Sequence, residues 1–352
     1  MAENLTDLYY LTQIIETNDF VFSQTTRRVR MSGKDGREGD KGERIKIFLG
    51  ISVIDIEYQD SSYDQRIRIK GNIISGPEDL ITINSTHTIN LSINQFITIQ
   101  KNLWLQYHFS LIKKAENSIE RPIIGIIAIE KGLFTIATIN DFKVNILIQE
   151  RQNTPGKSAN SKIRNLSDNN YFKKILNLIK NYCEKENINN IVLGGPGNYK
   201  NKFLEFFNEE WMNHKKNITL EDLSTGSSNS ISELLNRKSI EKIAGEYQVI
   251  EEYKIISEFE KRLGMDFNKI CYGLNHCLKA AEQGAIENIL INESIIQNKN
   301  EVNKLFINDL LDLLEKTKSK LLIVNHRTEN GIIVEKFGGM ISLLRYALYF
   351  DD

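Results

Sequence analysis

The run Ile191-Val192-Leu193-Gly194-Gly195-Pro196-Gly197-Asn198-Tyr199-Lys200 constrains the fold of this chain more than any other. An apolar strand breaks into a glycine-proline turn, and an amphipathic helix is expected to begin near Lys202. A turn at the carboxyl end of a buried strand leaves main-chain donors and acceptors facing outward, where α/β domains place their contacts. No Gly-Lys-Ser/Thr follows the glycines, so no phosphate-cradling lysine or magnesium-binding hydroxyl is supplied. The turn reads as a surface for presentation, or simply as a sharp reversal that glycines permit.

On either side of it the chain changes character. Residues from about 20 to 100 alternate apolar and polar positions, as in Ile45-Lys46-Ile47-Phe48-Leu49 and Arg66-Ile67-Arg68-Ile69-Lys70, at the period of strands with one buried face. Short strands separated by Gly and Asn turns predict a small barrel or sandwich. A helix from Trp104 to Ala115 leads to the polar break Asn117 to Pro122. Three apolar stretches then form a meander, Ile123 to Ile129, Phe134 to Ile139 and Val144 to Ile148. After the loop Arg151 to Asn170, a helix carries Phe172, Ile175, Ile179 and Tyr182 on one face. A helix from Phe203 to His214 follows the turn, and Ser230 is expected to cap the helix starting at Ile231. Beyond Gly245, the stripe Ile250, Tyr253, Ile256, Phe259 and Leu263 opens a region of alternating helix and strand, which implies a sheet covered by helices. Three domains follow: 1–117, 122–244 and 246–352.

The chemistry available is limited. A formal net charge of −1 excludes a uniformly basic nucleic-acid binder, so the 45 Lys and Arg must act in patches. One patch is evident: Arg27, Arg28, Arg30, Lys34, Arg37, Lys41 and Arg44 share a strand-loop-strand segment with four glycines, which would let the cations follow a phosphate backbone. Four interleaved acids allow the alternative of a solvated hairpin. Cys183, Cys271 and Cys277 have no metal-ligand spacing and are expected to be buried thiols. His87 stands apart from any second His or Cys and reads as a turn hydrogen-bonder. Glu130, Asp141 and Glu150 are the acids that a two-metal nuclease site in the central region would have to use, and turn acids in solvent account for them better. With no signal peptide and no apolar run of membrane length, a cytoplasmic protein is expected.

Four stretches together resemble the Pelota family, ribosome-rescue relatives of class-1 release factors: Asn4-Leu5-Thr6-Asp7-Leu8-Tyr9-Tyr10-Leu11, Ser75-Gly76-Pro77-Glu78-Asp79-Leu80 with Ser85-Thr86-His87-Thr88, the Gly194 to Lys200 turn, and Phe337-Gly338-Gly339-Met340 with Leu344-Arg345-Tyr346. The resemblance spans nearly the whole chain, and its C-terminus is similar to the archaeal branch. It implies an N-terminal Sm-like β-barrel, a central mixed α/β domain and a C-terminal L7Ae-like α/β sandwich. The family places a further strand before Asn4, so the barrel is expected to lack its first strand and leave an edge open.

The resemblance also implies a function: a monomer that enters the A site of stalled ribosomes in no-go and non-stop mRNA surveillance. There it would act with a translational GTPase of the elongation-factor-1-alpha class and an ABC-type recycling ATPase to dissociate subunits. It would place Arg27, Arg28, Arg30, Lys34, Arg37, Lys41, Arg44, His87 and Lys157 against RNA or ribosome, and Pro196, Gly197, Asn198 and Tyr199 against the GTPase. The family turn reads Pro-Gly-Phe where this chain has Pro196-Gly197-Asn198. Release factors hydrolyse peptidyl-tRNA with a Gly-Gly-Gln loop. Here the glycine pairs continue as Pro196 and Met340, and the corresponding loop is Pro155-Gly156-Lys157-Ser158, so no catalytic residue is assigned and no peptidyl-tRNA hydrolysis is expected. No cofactor is evident in the residues. The resemblance brings one alternative, a divalent-metal-dependent endoribonuclease in the N-terminal domain, for which no carboxylate or histidine cluster stands out.

Overall fold

The computed structural model describes residues 1–29, 43–61, 64–116, 121–153, 160–245, 247–296 and 301–350. The chain divides into two compact units, one comprising residues 1–120, 281–284 and 291–319, the other residues 121–280, 285–290 and 320–352.

The first region starts with α1 (Leu5–Ile14), whose N-terminus explains the Asn4-to-Asp7 motif. The Asn4 side chain accepts from the Asp7 amide at 2.9 Å, and the Asp7 carboxylate accepts from the Asn4 amide at 3.3 Å, a reciprocal cap for two orphan donors. Five antiparallel strands follow: β1 (Phe20–Val29), β2 (Glu43–Ser61), β3 (Asp64–Ser75), β4 (Thr86–Leu91) and β5 (Ile97–Gln100), then α2 (Gln106–Glu116). Their order is β4-β3-β2-β1-β5. Alternate residues Ile47, Leu49 and Ile51 join Leu8, Val21, Ile69 and Ile89 in the core. Two register shifts in β2, at Gly50/Ile51 and Val53/Asp55, bend the sheet. Gly71 lies at the bend, where a β-carbon would stand 2.3 Å from the Ser52 carbonyl oxygen. Bending brings β1 to β4 across the concave side, with Thr25 Oγ1 3.1 Å from His87 Nε2. The pairing among the described residues is that of an open, curled sheet, because no ladder joins β4 to β5. Ala2 is buried and pairs its main chain with Asn94 and Gln95.

A buried charged pin fastens this region. Lys101 Nζ donates to the Ile14 carbonyl at 2.7 Å and to Asp19 Oδ2 at 2.5 Å, while Tyr107 Oη donates to Glu16 Oε1 at 2.7 Å. Burial disfavours the Glu16 carboxylate, but His108, Lys101 and Tyr107 outweigh it and hold its pKa down to about 2. Asp19 moves upward because burial outweighs its bond to Lys101.

The second region holds β6 (Ile124–Glu130), β7 (Leu133–Ile139), β8 (Val144–Arg151), α3 (Ser161–Lys185), β9 (Asn190–Gly195), α4 (Tyr199–Glu210), β10 (Asn217–Asp222), α5 (Asn229–Leu235) and α6 (Lys238–Ala244). The sheet order is β10-β9-β6-β7-β8, with β9 parallel to both β6 and β10. Both faces are covered. Ile124, Ile126 and Ala128 pack toward α5 and α6, while Ile127 and Ile129 pack toward α3 and α4, which is why β6 reads as an unbroken apolar run. The helix after the turn begins at Tyr199, three residues earlier than expected. Ser230 lies inside α5, not at its cap, and its hydroxyl donates to the Thr225 carbonyl at 2.6 Å.

The remaining elements are α7 (Gln248–Met265), β11 (Ile270–Tyr272), α8 (Leu274–Glu282), β12 (Ile286–Asn292), α9 (Glu293–Ile296), α10 (Glu301–Lys316), β13 (Lys320–Val324), α11 (Glu329–Lys336) and β14 (Met340–Leu344), with sheet order β11-β14-β12-β13. The α7 stripe divides its burial: Ile250 and Tyr253 join the central core, Ile256 and Phe259 the core around β14, and Leu263 is partly exposed. Cys183, Cys271 and Cys277 are buried free thiols.

Candidate functional site

Parallel pairing puts the carboxyl ends of β6, β9 and β10 at one edge of the central sheet. Because β7 is antiparallel to its neighbours on both sides, β8 also ends there, at Arg151, and the Gln152 amide donates to the Gly132 carbonyl at 2.8 Å. The Gly194-to-Lys200 turn and the strand that leads into the Lys157 loop therefore share an edge. Lys157 itself lies outside the described residues.

The glycine pair is dictated by packing. A β-carbon on Gly195 would stand 1.9 Å from the Ile129 carbonyl oxygen, and one on Gly194 would stand 2.2 Å from Leu223 Cδ1. Gly197 takes φ 58 and is exposed, as is Asn198. Lys200, in the first turn of α4, holds the loop from beneath. Its side chain is 7% exposed, and Nζ donates to the Gly195 carbonyl at 3.1 Å, the Gly197 carbonyl at 2.8 Å and Asp222 Oδ1 at 2.5 Å. A cation is disfavoured at a helix N-terminus, so the three acceptors are what keep it there. Sequence reasoning misses this lysine because no Walker pattern surrounds it; its one signal is a lysine at the fifth position after Gly195. Tyr199 turns inward: its ring lies 5.2 Å from that of Phe172, and its hydroxyl donates to Asp168 Oδ1 at 2.9 Å. Burial and the Asp168 carboxylate push its pKa upward. The exposed part of the turn is thus Gly197 and Asn198, with half-buried Pro196.

In the first region the structure brings Arg27 and His87 together on the concave side. Burial, then the Arg27 charge, lowers the His87 pKa, so the imidazole is neutral near pH 7. Arg27 Nη1 is enclosed with no hydrogen-bond partner among the described residues. Arg44 is exposed, and the main chain of Arg28 is paired with it across β1 and β2. Arg30, Lys34, Arg37 and Lys41 lie outside the described residues.

The acids do not converge. Asp141 is buried and accepts from Arg121 at 2.7 Å and from the Gln248 amide at 2.9 Å; Glu150 pairs with Lys174; Glu130 ends β6. Glu16 and Asp19 already enclose the Lys101 ammonium. Among the described residues no group of three or more His, Cys, Asp or Glu could hold a metal ion. No helix among them is long and apolar enough to cross a membrane.

Family models match along the chain: the Pelota N-terminal domain at residues 1–116, eRF1 domain 2 at 123–244 and eRF1 domain 3 at 249–348. A protein pelota homolog of Methanopyrus kandleri is 32% identical over 99% of this chain and 95% of its own length. The crystal structure of Thermoplasma acidophilum Pelota superposes with a TM-score of 0.70 at 20% identity, covering 99% of this chain and 95% of that one. S. cerevisiae Dom34, described as a translation termination-like factor involved in RNA quality control pathways and interacting with Hbs1, superposes with a TM-score of 0.52 at 20% identity, with the same coverage.

Proposed function

The chain belongs to the Pelota family, and we propose that it works as a ribosome-rescue factor: a cytoplasmic monomer that enters the A site of a stalled ribosome with a translational GTPase and promotes subunit dissociation with an ABC-type recycling ATPase. The observation that carries this reading is the clamped turn at the carboxyl edge of the central sheet. It is a rigid, glycine-shaped projection with no nucleophile, acid-base pair or Gly-Gly-Gln, suited to contact and not to hydrolysis. Dom34 is described as interacting with Hbs1; we carry that kind of partner to this chain and assign the contact to Pro196, Gly197 and Asn198, with Tyr199 setting the turn from behind. The basic segment from Arg27 to Arg44, with Lys157, contacts RNA, and Arg27 and His87 brace its base. The test is a gradient assay on stalled ribosomes with GTPase and recycling ATPase present. Appearance of free subunits only when this chain is added supports the reading; ribosomes that stay whole at every concentration refute it.

A further inference from the structure

The sheet of the first region has a second face whose composition the curled core does not explain. By the alternation of β1, Val21, Ser23, Thr25 and Arg27 point inward, so Phe20, Phe22, Gln24 and Thr26 point out. The register pairs Phe22 with Gly50, Gln24 with Phe48, and Thr26 with Lys46. On the other side Phe22 pairs with Thr98, and Phe96, the exposed residue just before β5, lies two positions from the exposed Thr98. Phe48 is 57% exposed and Phe96 74% exposed, although Phe is among the residues most often fully buried. A β-carbon on Gly50 would stand 2.5 Å from the Phe22 ring, so the glycine lets that ring lie flat against the strand.

Among the described residues, charge on this face has one sign. Lys46 and Arg44 continue the outward series of β2 toward the basic segment, and the outward positions of β1, β5 and the first half of β2 carry no Asp or Glu. Rings that no core needs, standing beside exposed cations with no acid among them, are the elements of a single-strand nucleic-acid platform. The rings accept bases, whichever their identity, and the cations follow the phosphates. A protein partner would be served by the same rings but would not require an acid-free surround.

We infer that the outward face of β5, β1 and β2 is a stacking platform for unpaired RNA, with Phe48 its central ring, Phe22 and Phe96 beside it, and Lys46 and Arg44 its phosphate contacts. It rests on the ribosome-binding reading and extends it from the basic segment onto the sheet, so that a strand drawn in by the loop cations is held by its bases.

The probe is a short fluorescein-labelled oligouridine, with an abasic strand of equal length as control, titrated with the full chain at several salt concentrations. Phe48→Ala is expected to weaken oligouridine binding about 5- to 150-fold while leaving the salt slope unchanged, since stacking releases no counterions. Phe48→Trp should restore binding. Lys46→Gln should instead lower the slope by about 0.7. Wild-type protein should prefer oligouridine to the abasic strand, and Phe48→Ala should abolish that preference. Equal affinity of wild type and Phe48→Ala for oligouridine overturns the inference, as does equal affinity of wild type for the two strands. Neither readout needs GTPase or ribosome, so they stand whatever the subunit-splitting assay returns. If Phe48→Ala loses ribosomes while its oligouridine affinity is intact, the face docks protein and the inference is overturned.

Discussion

Replacing Lys200 with Met keeps most of the side-chain volume and removes the ammonium, which isolates the bond set that holds the Gly195-to-Asn198 turn. Two of its acceptors are main-chain carbonyls, and hydrogen bonds made by a charged donor contribute about 1.5–3 kcal/mol. The carbonyl of Gly197 sits on an exposed residue and regains water, whereas Gly195 is buried and its oxygen is left poorly satisfied. Against this, removing a cation from the first turn of α4 relieves an unfavourable helix-dipole interaction of about 0.3–1 kcal/mol. Asp222, whose side chain is 88% exposed, is hydrated once unpaired and adds nothing to the balance. The net loss is about 2 kcal/mol, which lowers the melting temperature by roughly 4–8 °C. Lys200→Arg should fall between, because a planar guanidinium cannot direct donors at three acceptors arranged around a point charge. Thermal unfolding followed by circular dichroism gives the first readout, and GTPase affinity by titration calorimetry the second. A Lys200→Met protein that melts with wild type would refute the clamp. One that melts early but binds the GTPase unchanged below its transition would separate the clamp from the binding surface.

Tyr199→Ala removes a ring packed on Phe172 and a hydroxyl bonded to Asp168, so it should cost about 3–5 kcal/mol by thermal melting, with any loss of GTPase binding following from the displaced turn. Replacing Arg27, Arg28 and Arg30 with Ala should weaken RNA or ribosome binding and flatten its salt dependence by about one unit for each phosphate no longer neutralised; an unchanged slope would mean solvated charges. Peptidyl-tRNA hydrolysis at a stop codon should stay at the level of a blank, measured by release of labelled peptide. Glu252 is fully buried between Gln248 and Asn330, and burial raises its pKa from 4.5 to about 7. The folded carboxyl thus holds its proton more tightly than the unfolded one, so the stability that Glu252 contributes is fully present below pH 4.5 and is lost as pH rises toward and through 7, by about 3 kcal/mol at most. Glu252→Gln should remove that slope, and denaturant titrations that keep it would assign it to another group.

Strand and helix positions are legible wherever burial is one-sided or complete. Ile45 to Leu49 alternates because one side meets the core, and Ile124 to Ile129 does not because both sides do. Ser230 misleads because a Ser before an apolar run looks like a cap, while here the preceding Thr225 and Ser227 form their own turn and draw that hydroxyl inward. Tyr199 reads as a surface residue by its place after a turn. The helix starts at that residue, which swings the ring onto α3, and sequence spacing carries no trace of that rotation. Lys200 and Phe48 are hidden for a different reason. Each obeys its local pattern, a polar residue in a helix and an outward position in a strand, and each becomes informative only once the fold shows its surroundings: the Gly195 and Gly197 carbonyls with Asp222 for one, solvent for the other.

Those two residues mark the two ways a surface of this kind is made. At the central sheet edge a buried cation directs its bonds inward so that Gly197 and Asn198 can be held outward, and the rigidity is internal. On the outward face of β1 and β2 the rings have no inward partners in the core and depend on what binds to be covered. A substitution at the first should therefore register in stability before it registers in binding, and a substitution at the second in binding alone. That ordering sorts the variants without reference to any partner: Lys200→Met and Tyr199→Ala shift melting, and Phe48→Ala does not.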